Sequence, residues 1–309
     1  MTTFRSRQSL VHLSLRAVLP ALAVAWLLAG QGHPAEATKA DMRRPGEALV
    51  RPMDLAVGEQ AAIRSRAGTV ARALGISGAA GSPTRRYEAL DHAVIDEVAI
   101  ERPDGGRLAV LRFEADRGSL RSFVRLGWSR DDDATRVSLA TAPTAAARFS
   151  AAAGMAAATA PPEAAWDAAM RAWQVTWPRV LDGLPAPGEG LTVWVYPGGR
   201  LAALRRIETP AASAPLLRVT PEQAQAAATA WATAAGIPPG ILDPDGAPAL
   251  AWVPPNDFAS TGGADVTEAR LHLAYLAQFT IHLPNGDVHE MLVFVDAGSG
   301  TVIGGSETA

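Results

Sequence analysis

The sequence predicts an α+β fold in which helices pack on antiparallel sheet, and three patterns carry that expectation. Thr220, Pro221 and Gln223 form a helix start: a hydroxyl cap, a proline at the first helical position and the glutamine of a capping box. Residues 270–283, RLHLAYLAQFTIHL, place Leu271, Leu273, Tyr275, Phe279, Ile281 and Leu283 on alternate positions, which reads as a long half-buried strand. Asn285-Gly286 then signals a two-residue hairpin turn into a return strand over residues 288–296.

The elements follow in chain order. Arg5, Arg7 and Arg16 precede an apolar run over residues 17–28, and no acid appears before Glu36. Ala35-Glu36-Ala37 fits a small-x-small cleavage site, so residues 1–37 are expected to be a secretory signal. The run is short for a bilayer span, which needs about 20 apolar residues, and Pro20 interrupts it. Residues 38–55 lack periodicity and read as a flexible lead-in. A helix is expected over 57–74, stopped by Gly75. Strand-like runs follow at 92–101, 107–115 and 120–128, separated by the turn segments RPDGG and DRGS. Residues 56–142 thus form a helix-plus-meander module.

Asp131, Asp132 and Asp133 read as a solvated loop. Residues 143–215 read as linker helices, the second running through Trp166, followed by strands. Trp173, Val175 and Trp177 alternate within a strand over 172–181, DGLPAPGEG reads as a loop, and 191–196 and 200–208 pair around Pro-Gly-Gly. In the helix after Thr220, Ala224, Ala227, Ala228, Trp231 and Ala235 make an apolar stripe, and Gly236 ends it. Residues 238–267 read as one long loop, and Thr301–Ile303 as a short last strand. "EQA" opens both the first helix (Glu59) and the last (Glu222), which suggests a duplicated unit.

Composition narrows the functional classes. The chain has 309 residues, 48% hydrophobic and 19% charged, a globular balance. Cysteine is absent, which rules out disulfides and thiolate chemistry. Lys39 is the only lysine. Removing residues 1–37 leaves 25 basic and 30 acidic residues, a net charge of about −5. Such a chain is a poor ligand for nucleic acid or anionic lipid.

The C-terminal segment, residues 216–309, resembles a PepSY domain. The resemblance rests on VTPEQAQAAATAWATAAGI, the long hairpin, and the closing VFVDAGSGTVIGG with its Asp296-Ala297-Gly298-Ser299-Gly300 turn. Residues 175–204 resemble the propeptide region that precedes thermolysin-like and fungalysin-like metallopeptidases. The resemblance implies two or more PepSY-like modules in tandem, each a helix on antiparallel sheet. It further implies a detached propeptide that inhibits or chaperones a peptidase, and it carries over no catalytic residue.

A two-residue turn at Asn285-Gly286 sets His282 opposite His289 on one face, a possible metal pair, but Glu290 alternates away and His272 lies too far along the strand. A solvated cross-strand pair is therefore expected. Gly298–Gly305 has no following helix to make a phosphate loop. Leu242–Pro248 lacks the terminal acid of a calcium loop. His92 has no evident serine partner. Trp166, Trp173, Trp177 and Trp194 fit a core better than a groove. No catalytic, cofactor-binding or metal-binding residue is assigned, and no cofactor is expected. The expected function is an exported, non-enzymatic protein that binds a protein partner, an extracytoplasmic peptidase by the resemblance. The alternatives are a metal-dependent hydrolase with a site outside known motifs, and a structural envelope component.

Overall fold

In the computed structural model, residues 50–88, 93–155, 160–256, 270–283 and 286–308 are described. The expected signal and most of the lead-in lie outside them, as does His92. The described chain is α+β: antiparallel sheet dominates, with three α-helices laid on it. None of these helices is long and apolar enough to cross a membrane.

The first half builds one ten-stranded sheet. Its strands are β1 (Val50–Met53), β2 (Ala79–Ala80), β3 (Thr84–Glu88), β4 (Ala93–Glu101), β5 (Arg107–Glu114) and β6 (Leu120–Arg125), then β7 (Glu163–Asp167), β8 (Ala172–Leu181), β9 (Leu184–Val195) and β10 (Leu201–Ile207). The order is β1-β3-β4-β5-β6-β10-β9-β8-β7, with β2 also on β4. β10 joins the two meanders by pairing with β6, Leu204 against Phe123.

Two helices cover one face. In α1 (Val57–Ala73), Ile63, Ala67 and Ala71 recur every fourth residue and point inward. The Glu59 carboxylate accepts the Ala56 N–H at 3.1 Å, and Gly75 at φ 72° ends the helix. In α2 (Ala142–Ala152), Ala142, Ala146 and Ser150 keep the same spacing. Both helices rest on one continuous core containing Leu111, Phe113, Phe123, Val175, Trp177, Val193 and Leu204. Small residues on the helices let their axes lie close to the sheet. The other face of the N-terminal meander is polar: Glu97 binds Arg112 at 2.8 Å and Arg86 at 3.1 Å. Ile95, flanked in register by Arg86 and Glu114, is fully buried on that polar face.

The second sheet has five strands: β11 (Leu242–Pro244), β12 (Ala249–Val253), β13 (His272–His282), β14 (Val288–Asp296) and β15 (Val302–Thr308). Helix α3 (Pro221–Ala234) covers it. Its cap has the expected form, with the Thr220 N–H donating to Gln223 Oε1 at 2.9 Å and the Gln223 N–H to Thr220 Oγ1 at 3.3 Å. Ala224, Ala228 and Ala232 face Leu273, Phe279, Met291 and Val293. Ala235, expected in that stripe, is exposed, because the inward row runs at intervals of four and reaches Ala232 instead. Thr220→Ala removes one capping acceptor while touching no core contact. It is expected to lower stability by ~1 kcal/mol in urea denaturation.

Several sequence expectations are corrected. Val50–Met53, inside the expected lead-in, pairs with β3. Residues 163–167, expected as helix, are strand β7, because Trp166 finds a cross-strand partner in Trp173 with ring centroids 5.1 Å apart. The expected loop DGLPAPGEG is mostly strand: Asp182 (φ 51°) and Gly183 (φ 79°) make a two-residue turn with both residues left-handed, and β9 begins at Leu184. A bulge at Pro178/Arg179 accommodates the prolines and Gly190, where a Cβ would lie 2.2 Å from the Trp177 carbonyl oxygen. The long loop expected over 238–267 contains β11 and β12, both paired with β13. Strand β13 is buried on both faces rather than one, since Ala274 and Leu276 pack with Ala251, Val253, Phe294 and Ile303 opposite α3. The last strand extends to Thr308, well past Ile303.

Candidate functional site

The side chains with chemical potential gather at two places on the ten-stranded sheet. The first lies where β6 and the β9–β10 turn meet a short 3-10 turn over Arg130–Asp133. Asp132, expected in a solvated loop, is fully buried. Arg200 grips its carboxylate with two hydrogen bonds, Nε to Oδ1 at 2.6 Å and a terminal nitrogen to Oδ2 at 2.5 Å. The Ser129 N–H donates to Oδ2 at 2.8 Å, and the Gly198 N–H donates to the Asp132 carbonyl at 2.9 Å. Gly198 sits so close that a Cβ there would overlap the Asp131 carbonyl oxygen.

Burial pushes the Asp132 carboxyl up. The Arg200 hydrogen bonds, the Ser129 N–H and the charges of Arg200 and Arg125 outweigh it and hold the carboxyl below its ordinary value. Arg125 and Tyr196 complete this polar cluster, and burial pushes the Tyr196 hydroxyl up. A second ion-pair node pins α1 to the sheet. Arg85 meets buried Asp96 at 2.7 and 3.0 Å and Glu59 at 2.8 Å.

The second place is the β7 edge. β7 ends the sheet order and bears no strand on its outer side among the described residues. Trp166 stands on it at 47% exposure, edge-on to Trp173, whose indole N–H donates to the Val137 carbonyl at 2.9 Å. Nearby, Arg171 at the β7–β8 turn lies over the Trp128 ring at 4.9 Å and binds Asp133 at 3.0 Å. Trp128 is 44% exposed. The other sheet ends are better protected. β1 carries Arg51 and Pro52. Along β15, Asn256 acts as a substitute strand: its N–H donates to the Ile303 carbonyl, and its side-chain amide both donates to and accepts from the Gly305 peptide.

The four tryptophans therefore divide. Trp177 and Trp194 are core on opposite faces, with the Trp194 indole N–H on Asp167 Oδ2 at 2.9 Å, Trp173 packs partly buried against the core, and Trp166 stands exposed at the edge. The histidine pair does not form. In the register, His282 faces Val288 and His289 faces Ile281. The Leu283 N–H donates to the Asp287 carbonyl at 2.9 Å, so the connection is one residue longer than a two-residue turn and ends with Gly286 at φ 90°. His289 instead meets Glu307 of β15 at 3.1 Å, and His272 lies 3.8 Å from Asp296. Among the described residues no three of His, Asp and Glu converge on one point. The Asp296 turn is structural: Asp296 Oδ1 accepts from the Gly298 and Ser299 N–H groups and from Ser299 Oγ. Asp243 and Asp245 are exposed, on and beside β11.

Sequence reasoning missed Asp132, Arg200, Arg125 and the Trp128–Arg171 stack. Asp132 and Arg200 are 68 residues apart and belong to segments that read as polar turns, so nothing local links them.

Fold and site together describe an α+β protein of helices on antiparallel sheets, with buried ion-pair clusters and an open aromatic edge. No family model matches the chain, and no curated protein matches it. Among solved structures it is similar to the Bacillus megaterium YpeB C-terminal domain, at 14% identity and a TM-score of 0.42, over 84% of this chain and 99% of that one.

Proposed function

We propose that the protein is exported and non-enzymatic, and that it binds an extended segment of a protein partner by strand addition at β7, acting as a peptidase inhibitor or regulator. The observation that carries this reading is the β7 edge. It is the end of a ten-stranded sheet, holds neither proline nor lysine, and presents Trp166 to solvent. A free edge offers a row of backbone donors and acceptors, and an exposed aromatic beside it supplies an anchor. Trp128 with its Arg171 partner widens the apolar surface. The peptidase as partner is supported by the propeptide-like segment, whose strands β8, β9 and β10 lie in the same sheet.

The test uses the mature chain, residues 38–309, against thermolysin-like and other extracytoplasmic metallopeptidases, reading inhibition and direct binding. Saturable inhibition is expected. Trp166→Ala should weaken binding about tenfold or more and also cost ~0.5–1.5 kcal/mol of stability through the lost Trp173 ring contact, so Trp166→Phe, which keeps a ring on Trp173, is compared beside it. A mature chain that neither binds nor inhibits any of these enzymes would falsify the peptidase reading. Binding that Trp166→Ala leaves intact removes β7 as the contact.

A further inference from the structure

We propose that Arg125 and Tyr196 form a seat for a carboxylate at the end of the sheet beside the β9–β10 turn. This inference stands independently of strand addition at β7.

The seat follows from an accounting of donors. Arg125 ends β6, opposite Ala109, and is partly buried. Its Nε–H donates to the Leu201 carbonyl at 2.8 Å. That single bond fixes the plane of the guanidinium and uses one of its five donors. Its two terminal amino groups make no hydrogen bond among the described residues. With Nε taken, what remains is the end-on fork, two parallel N–H groups spaced for the two oxygens of one carboxylate.

Tyr196 borders the same turn. Its backbone N–H donates to the Arg200 carbonyl at 2.9 Å, one residue before the carbonyl that Arg125 holds. Its ring is 8% exposed, and its hydroxyl makes no hydrogen bond among the described residues. The hydroxyl is a further donor.

Charge sets the class of ligand. Asp132 is the carboxylate that acts on Arg125, and Arg200 and the Ser129 N–H occupy both of its oxygens; Asp131 acts on Arg200. Arg200 and Asp132 cancel, so Arg125 is left as one half-buried positive charge facing a second cation. Burial, and then the Arg200 charge, disfavour its protonated form, and the charge of a bound monoanion opposes both. A single two-pronged fork matches the two oxygens of a carboxylate better than a phosphate dianion.

The probe is sodium acetate, titrated by saturation-transfer NMR and by thermal unfolding, with sodium chloride at equal ionic strength as control. Acetate is expected to saturate on the wild type and to raise its melting temperature above the chloride control. Arg125→Lys keeps the charge but loses the fork, and is expected to bind at least fivefold more weakly. Arg125→Leu is expected to lose saturation. Tyr196→Phe serves as the second variant should Arg125→Leu fail to fold, and is expected to weaken acetate severalfold. Short peptides with a free C-terminus, an amidated C-terminus or an internal aspartate then assign the carboxylate to a chain end or a side chain. Wild type that responds alike to acetate and chloride overturns the seat, as does equal acetate affinity across the wild type, Arg125→Lys and Tyr196→Phe.

Discussion

Asp132→Asn is expected to destabilise the protein by ~2–3 kcal/mol at neutral pH, less than the ~3–5 kcal/mol for breaking a fully buried ion pair because the arginine left behind reaches solvent. The substitution keeps the shape of the side chain and removes its charge. Arg200 then keeps its place beside Arg125 with no anion between them, and the bidentate grip at 2.6 and 2.5 Å is lost. The effect should reach beyond the 3-10 turn. The Asp132 backbone holds Gly198, and Arg136 and Val137 both donate to the Pro197 carbonyl, so this turn fixes the β9–β10 hairpin. Urea denaturation at pH 7 measures the loss. Arg200 is 38% exposed on its side chain and Asp132 not at all, so Arg200→Leu, which strands the buried carboxylate, should cost more than Asp132→Asn, ~3–5 kcal/mol. The pH dependence has a definite sign. The folded-state carboxyl lies below its unfolded value of about 3.9, so its contribution is complete above that value and is lost as pH falls through the lowered one. The wild type should therefore lose stability on acidification more steeply than Asp132→Asn. Parallel acid profiles for the two proteins would refute the ion pair as a stabilising element.

Local signals in the sequence located most elements. The Thr220 cap and the β14 bounds at Val288 and Asp296 agree with the structure, because capping and two-residue alternation depend on neighbours in the chain. Failures occur where a distant partner decides. Glu163–Asp167 has the alanine content of a helix and becomes strand because Trp173 lies across from Trp166. Asp182-Gly183 was read as part of a loop, because the prolines after it mask the strand that a bulge lets continue. His289 was read against His282; its actual partner, Glu307, comes from a strand whose length the sequence did not disclose. Of the two candidate sites, Trp166 was singled out in the sequence, though on a helix and as core, not on an exposed strand edge. The Asp132 cluster was not, since it needs segments 68 residues apart to meet.

Trp252→Ala is expected to cost ~3–5 kcal/mol, as for other fully buried large aromatics. Trp252 is 1% exposed and faces α3 from β12, opposite Leu273. It does a second thing that Phe279 does not. Its indole N–H donates to the Leu181 carbonyl at 3.2 Å, and Leu181 is at the tip of the β8–β9 hairpin. Leu181, Leu184 and Ala186 from that hairpin all pack into the core beneath α3, although their strands belong to the ten-stranded sheet. The hairpin is thus shared between two hydrophobic cores, and Trp252 is the residue that receives it. Removing the indole opens a cavity on one side and frees a carbonyl on the other. Trp252→Phe restores most of the apolar volume without the N–H, so it should recover all but ~1–2 kcal/mol of the loss. The sharing can be measured by a double-mutant cycle between Trp252→Ala and Leu181→Ala. Residues in contact across one core couple by ~0.5–3 kcal/mol, whereas independent sites add to within ~0.5 kcal/mol. Strict additivity would mean that the hairpin tip only rests against the second core and does not help to hold it. Coupling above ~1 kcal/mol would mean that the hairpin tip helps to hold the second core.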